Sequence, residues 1–188
     1  MLKRDSSIKE KYNIGKFLFQ DKIGLTFSEN QNLIIQQIAA WPNELEEMET
    51  FISKELEIEK KISFNKGEIL SDRSVWRMEP LKWWFLEKTI NIPESLGTSL
   101  ELSHAFTSIK ITGEKVRLLL NRHLPLDLRD DIFPIGSSAS SAIHHVSVKL
   151  FRINKDDYNL LIPRGFALSI WEIILESASQ FGFEIENI

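Results

Sequence analysis

Between Phe166 and Phe181 the apolar residues occupy about 220° of a helical wheel, roughly twice the stripe that a surface helix needs to cover one core. Phe166, Ile170, Ile174 and Phe181 lie at the centre, flanked by Ala167, Trp171, Ile173, Leu175 and Ala178, with Leu168 widening the arc. A helix clad in this way calls for burial on two sides. Gly182 then ends it, and Phe183 to Glu186 has the length of a short strand that closes a sheet.

The rest of the chain supplies that sheet in short extended pieces. Residues 1–30 are polar and aperiodic and read as a flexible arm. Leu33 to Ala40 reads as a strand, and after Trp41 and Pro42 a helix is predicted to about Ile58. Its stripe is Leu45, Met48, Ile52 and Leu56, with Asn43 and Glu46 as a capping box. Asn65, Lys66 and Gly67 are turn material; Ser74 to Glu79 and Lys82 to Glu87 follow as strands separated by Pro80. In the second strand Trp83 and Phe85 point one way, Trp84 and Leu86 the other, so both faces need a cover.

A second half starts near Leu100 with strand-like ELSHAFTSIKI. Thr112 is a candidate N-cap for a helix bearing Val116, Leu119, Leu120 and His123 on one face, and Pro125 stops it. Strands are predicted at about Ser138–His144, Val146–Ile153 and after a turn at Asn154–Asp157 up to Pro163. The fold class is therefore α+β, antiparallel sheets backed by helices: one domain over residues 31–188 in two strand-helix-strand halves, about 31–97 and 98–188.

At 188 residues the chain is long enough to bury roughly 70% of its unfolded surface. Its 43% apolar and 27% charged residues are globular values. The net charge, 23 minus 27 or −4, comes from interspersed signs, which disfavours nucleic acid as a partner. The apolar patch Phe17–Phe19 is too short for a signal core and no run approaches a membrane span, so no membrane partner is expected and the default compartment is the cytoplasm. Zero cysteines removes thiolate chemistry, and the 8 glycines form no phosphate-cradling motif, which disfavours a self-contained nucleotide or flavin domain.

Candidate chemistry is sparse. His104, His123, His144 and His145 lack ligand spacing, since adjacent strand residues face opposite ways; no metal site is expected. Ser137, Ser138, Ser140 and Ser141 lie near His144 but outside any G-x-S-x-G elbow. Asp127, in Pro125-Leu-Asp-Leu-Arg129, follows a helix end that would expose it, either for acid-base work or simply paired with arginine. Arg164 and Gly165 open the last helix, where an anion or a partner's carboxylate would fit. Arg73, Trp76, Arg77, Lys82, Trp83 and Trp84 would stack single-stranded bases, meet a partner protein, or fill a core. Among these readings a protein interface through Trp83, Trp84, Arg164 and Trp171 is preferred.

Four segments carry a resemblance: LLLNRHLPLDLRDDIFPIGSSASSAIHH (Leu118 to His145), LIPRGFALSIWE (Leu161 to Glu172), WRMEPLKWWFLEK and SLELSHAFTSIKITG. In that order and spacing, over about Val75 to Gly182, the chain resembles the gamma subunit of heterotetrameric sarcosine oxidase. The resemblance implies a noncatalytic accessory subunit, packed mainly against alpha, in a complex with beta and delta. That complex demethylates sarcosine to glycine, passes the one-carbon unit to tetrahydrofolate and makes hydrogen peroxide. It places FAD and FMN in beta, NAD and tetrahydrofolate in alpha and zinc in delta, with no catalytic residue, cofactor or metal in this chain. Related subunits serve N-methylglutamate dehydrogenase, which stands as an alternative. The stretch also looks distantly like the folate-binding fold of glycine-cleavage T-protein, where an acid at the place of Asp127 acts beside folate, although the surrounding residues do not match that motif. A stand-alone folate-binding or aminomethyltransferase-like protein using Asp127 is a further alternative, and a generic scaffold a third.

Overall fold

The computed structural model describes residues Asp5 to Glu186. The elements run β1 (Gly15–Phe17), β2 (Leu25–Asn30), β3 (Ile35–Ala40), α1 (Leu45–Glu55), β4 (Gly67–Ile69), β5 (Ser74–Glu79), β6 (Lys82–Leu86), β7 (Gly97–Glu101) and β8 (Phe106–Thr112). There follow α2 (Val116–His123), β9 (Ser138–Ile143), β10 (Val146–Asn154), β11 (Asp157–Pro163), α3 (Ala167–Ala178) and β12 (Phe183–Ile185). The α+β class with antiparallel sheets holds, although β12 pairs with β2 in parallel. The chain divides into two compact units. Among the described residues, one takes in those up to Asn32, His104–Ile135 and those from Ala139 on; the other is Leu33–Ser103 with Gly136–Ser138.

The first unit is a seven-stranded sheet in the order β1-β12-β2-β8-β11-β10-β9 with α2 and α3 packed on it. Alternating side chains of the central strands, Phe27, Ile109, Ile111, Tyr158, Leu160 and Ile162, meet Val116, Leu119 and Leu120 of α2 and Ile170, Trp171 and Ile174 of α3. The broad apolar arc of α3 is only partly buried: Leu168, Ile173 and Leu175 are half-exposed and Phe166, expected at its centre, is 56% exposed. The reason is the start of the helix. Arg164–Phe166 forms a 3-10 turn, which rotates Phe166 off the 3.6-residue period assumed for it.

Residues 5–30, expected as a flexible arm, are instead built into this unit, while Met1–Arg4 of that arm lie outside the described residues. Ile8 is wholly buried, Tyr12 stacks on Trp171 at 5.7 Å, and β2 lies inside the sheet between β12 and β8. Their strand partners are distant in sequence, so the local polarity of residues 5–30 concealed them. The turn after α3 depends on Gly182: at φ 65° a Cβ there would stand 2.0 Å from the Lys22 carbonyl oxygen.

The second unit is a five-stranded antiparallel sheet, β4-β5-β6-β3-β7, with α1 on one face. Met48, Ile52 and Leu56 of the predicted stripe are buried against Ile38, Val75, Trp83 and Phe85. The expected capping box does not form, because Pro42–Glu44 makes a 3-10 turn first and the helix starts at Leu45 with no side-chain cap. Thr112 likewise caps nothing; α2 starts behind Lys115. The predicted single strand ELSHAFTSIKI is two, β7 and β8, which belong to different sheets; the chain leaves one unit and enters the other between Ser103 and His104.

Candidate functional site

Beyond α2 the chain runs through residues 124–135 without regular structure, pinned by Leu124, Leu128 and Phe133, which are buried in the first unit's core. Pro125 forbids another helical turn and Leu124 is already extended. The intervening Asp127, Arg129 and Asp130 are therefore turned outward and exposed. Asp127 accepts hydrogen bonds from the Arg129 backbone N–H at 3.1 Å, from Arg129 Nε at 3.0 Å and from Nη2 at 2.6 Å. The Arg129 side chain thereby holds the carboxyl below the ordinary aspartate range. A carboxylate stabilised in its charged form and open to water is a weak proton acceptor, so acid-base catalysis has no support at this position.

A buried polar cluster lies next to it, which the sequence does not single out. Arg152 on β10 is buried at 1% exposure, and its guanidinium donates to Phe133 O at 2.6 Å, Lys155 O at 2.9 Å, Asn154 O at 3.3 Å and the Asp130 carboxylate. It also lies over the Tyr158 ring, 5.6 Å from its centroid. Arg117 reaches the other Asp130 oxygen at 3.2 Å. Arg152 is bonded to Asp130, which with Arg117 nearby is held below its usual pKa; burial pushes the Tyr158 phenol up. A cleft of about 500 Å³ opens beside Asp130, Pro134, Ile135, Arg152 and Lys155. The chemistry of this cluster is a clasp: one guanidinium satisfies three carbonyls and a carboxylate and so fixes the 130–135 loop to the β10–β11 hairpin. Nothing in the segment's pattern announces it, since an arginine inside a strand reads as a solvent-facing residue.

The other candidates separate. His144 and His145, expected in strands, form the two-residue loop between β9 and β10, both at positive φ (45° and 70°), a type I′ hairpin. His123 sits close enough to His144 to feel its charge, and burial first, then that neighbour, lowers its pKa. Among the described residues no three or more His, Cys, Asp or Glu side chains are grouped as metal ligands. Ser137 and Ser140 each accept a lysine ammonium at 2.7 Å, from Lys66 and Lys149. In neither bond is the partner a histidine, so the pairing of these two serines with His144 that a nucleophile would need is not formed.

The tryptophan interface is corrected by burial. Trp83 is 1% and Trp84 5% exposed, and Trp171 is fully buried, with its indole N–H on Lys11 O at 3.1 Å. Trp84 donates to Gln37 Oε1 at 3.1 Å. Each fills interior, the alternative that dense aromatics always carry. Of the four residues Arg164 alone keeps partial exposure, and its guanidinium reaches the Asp5 backbone carbonyl. No helix among the described residues is long and apolar enough to cross a membrane.

No family model matches the sequence, and no curated protein matches it. Solved structures do. A chain of the heterotetrameric sarcosine oxidase from Corynebacterium sp. U-96, solved with pyrrole 2-carboxylate, matches with a TM-score of 0.72 at 15% identity, over 84% of this chain and 85% of that one. The glycine cleavage system aminomethyltransferase T from Bartonella henselae matches with a TM-score of 0.62 at 9% identity, over 94% of this chain but 56% of the enzyme. The chain thus has the fold shared by a sarcosine oxidase subunit and a glycine-cleavage T-protein, at identities that speak for the fold alone.

Proposed function

We propose that this chain is the gamma-type accessory subunit of a heterotetrameric oxidase that demethylates sarcosine to glycine. The observation that carries the reading is the reciprocal coverage. The match spans 84% of this chain and 85% of a chain of such an oxidase, whereas the T-protein is matched over little more than half its length. A fold match that covers most of one subunit of an assembly supports reading this chain as such a subunit. The quiet chemistry fits: Asp127 is tied to Arg129, and Arg152 serves as a clasp. In this reading the chain packs against an alpha subunit that handles NAD and tetrahydrofolate. Beta holds FAD, FMN and the substrate, and delta holds zinc. The substrate would then be read elsewhere, which leaves another N-methyl amine such as N-methylglutamate open to the same assembly.

The test is affinity purification of the chain from its native cells, with a flavin absorbance spectrum and oxygen uptake on sarcosine. The expected result is a yellow complex of several polypeptides that consumes oxygen. A yellow complex inert to sarcosine would move the assignment to a different amine. A colourless lone chain would overturn it. The T-protein fold match favours folate binding as the second reading, which isothermal titration with tetrahydrofolate decides. Tight one-to-one binding that disappears in Asp127→Asn would establish that reading and sink the purely accessory one.

A further inference from the structure

The outer edge of the first unit's sheet carries an apolar concentration that the fold itself does not use. β1 is the end strand, paired with β12 on one side and, among the described residues, with no strand on the other. Ile14, Phe17, Leu18 and Phe19 are 57%, 42%, 59% and 44% exposed. Natural edge strands are normally blunted by charge, proline or a bulge. Here only Lys16 is charged, and it leans on Glu184 at 3.7 Å.

The patch is held in shape. Phe19 and Lys22 exchange backbone hydrogen bonds of 3.2 and 3.0 Å across Gln20 and Asp21, both at positive φ, so a tight I′ turn fixes Phe19 at the rim. Phe17 stacks on Phe183 at 4.7 Å. Past the turn a groove of about 330 Å³ runs between Phe19 and Phe181, bordered by Ile23, Lys22 and Lys115. Arg122 lies over the Phe181 ring at 4.9 Å. Glu114, also at the groove, is paired with Lys115 at 3.2 Å, and among the described residues no ion pair takes up Arg122 or Lys22.

We infer that the free edge of β1 and this groove form a docking site for an extended segment of a partner protein. That segment adds a strand beside Gly15–Phe17, lays apolar side chains alternately against Ile14 and Leu18 on one face and Phe17 and Phe19 on the other, and brings an acidic side chain to Lys22 and Arg122. Size and charge select this occupant. The exposed parts of the four side chains, Ile14 and Leu18 on one side of the strand and Phe17 and Phe19 on the other, come to on the order of 400 Å², the size of the largest apolar patch on a typical monomer, which is often functional. Two copies meeting edge to edge would bury about that much each, half of the ~800 Å² per partner of a stable interface. They would also set the same uncompensated cations against each other. An extended segment takes main-chain hydrogen bonds from the edge and continues into the groove, so it needs no broad face.

The inference does not rest on the oxidase reading. The experiment is hydrogen exchange on the full chain, free and in the assembly recovered from its native cells, with Ile14→Asp and Leu18→Asp as variants. Both positions are more than half exposed, so thermal melting of the free chain should not change. The expected result is slowed exchange of residues 14–19 in the assembly, and loss of the partner by at least tenfold in affinity in each variant. An assembly that forms with this edge unprotected would overturn the inference and leave the oxidase proposal standing. Protection of the edge in a colourless complex would support it while sinking that proposal. A free chain that doubles in mass through residues 14–19 would replace the partner segment with a second copy, and a chain recovered alone would overturn the site.

Discussion

At the scale of single residues, the energetics concentrate at Arg152 and His123. Removing a buried guanidinium strands three carbonyls and the loop they hold, so Arg152→Leu should cost about 3 kcal/mol in urea unfolding. His123 has one ring nitrogen, Nε2, buried without a partner, and burial lowers its pKa below the ordinary histidine value. The unfolded chain therefore binds the proton more readily than the folded one. The stability this group contributes is complete above about pH 6.5 and is lost as the pH falls through its depressed folded value. A melting temperature that drops between pH 7 and 5, and drops less in His123→Gln, is the expected outcome.

At the scale of elements, Gly182 is the sharpest stop. Gly182→Ala should destabilise by about 2 kcal/mol or more, because positive φ and a carbonyl in the way of the new methyl act together; a melting curve reads it directly. Elements whose signal is periodic were legible in the sequence. β5, β6 and β11 lie within a residue of expectation, and α1 buries Met48, Ile52 and Leu56 of its predicted stripe. What local pattern does not encode was missed. Backbone turns before α1 and α3 displaced the expected cap at Asn43 and the expected burial of Phe166. The two-histidine hairpin hid because His rarely marks a positive-φ turn. The tryptophans were misassigned for a related reason: aromatic density announces burial without telling whether a chain's own interior or a partner supplies the cover. Arg152 shows the converse, a charged residue whose buried role emerges only when distant loop carbonyls converge on it.

At the scale of the whole molecule, the first unit is assembled from both ends of the described chain, with β12 inserted between β1 and β2. Stopping the chain after Gly182 would remove Phe183 and Ile185 from the core, a loss on the order of 4 kcal/mol, and would leave β1 without any strand neighbour. Fast hydrogen exchange at residues 15–17 and 25–27 in that truncated chain is the expected readout. The same pairing also dictates how the molecule would answer to force. Gly15 stands opposite Ile185, and Phe17 opposite Phe183, so a pull applied at residues 15 and 185 loads one end of the ladder and breaks its rungs in succession rather than together. Stretched between optical traps, the protein should give way first at this seam and at low tension, like a zipper opened from its tab, before the wider strands behind it resist.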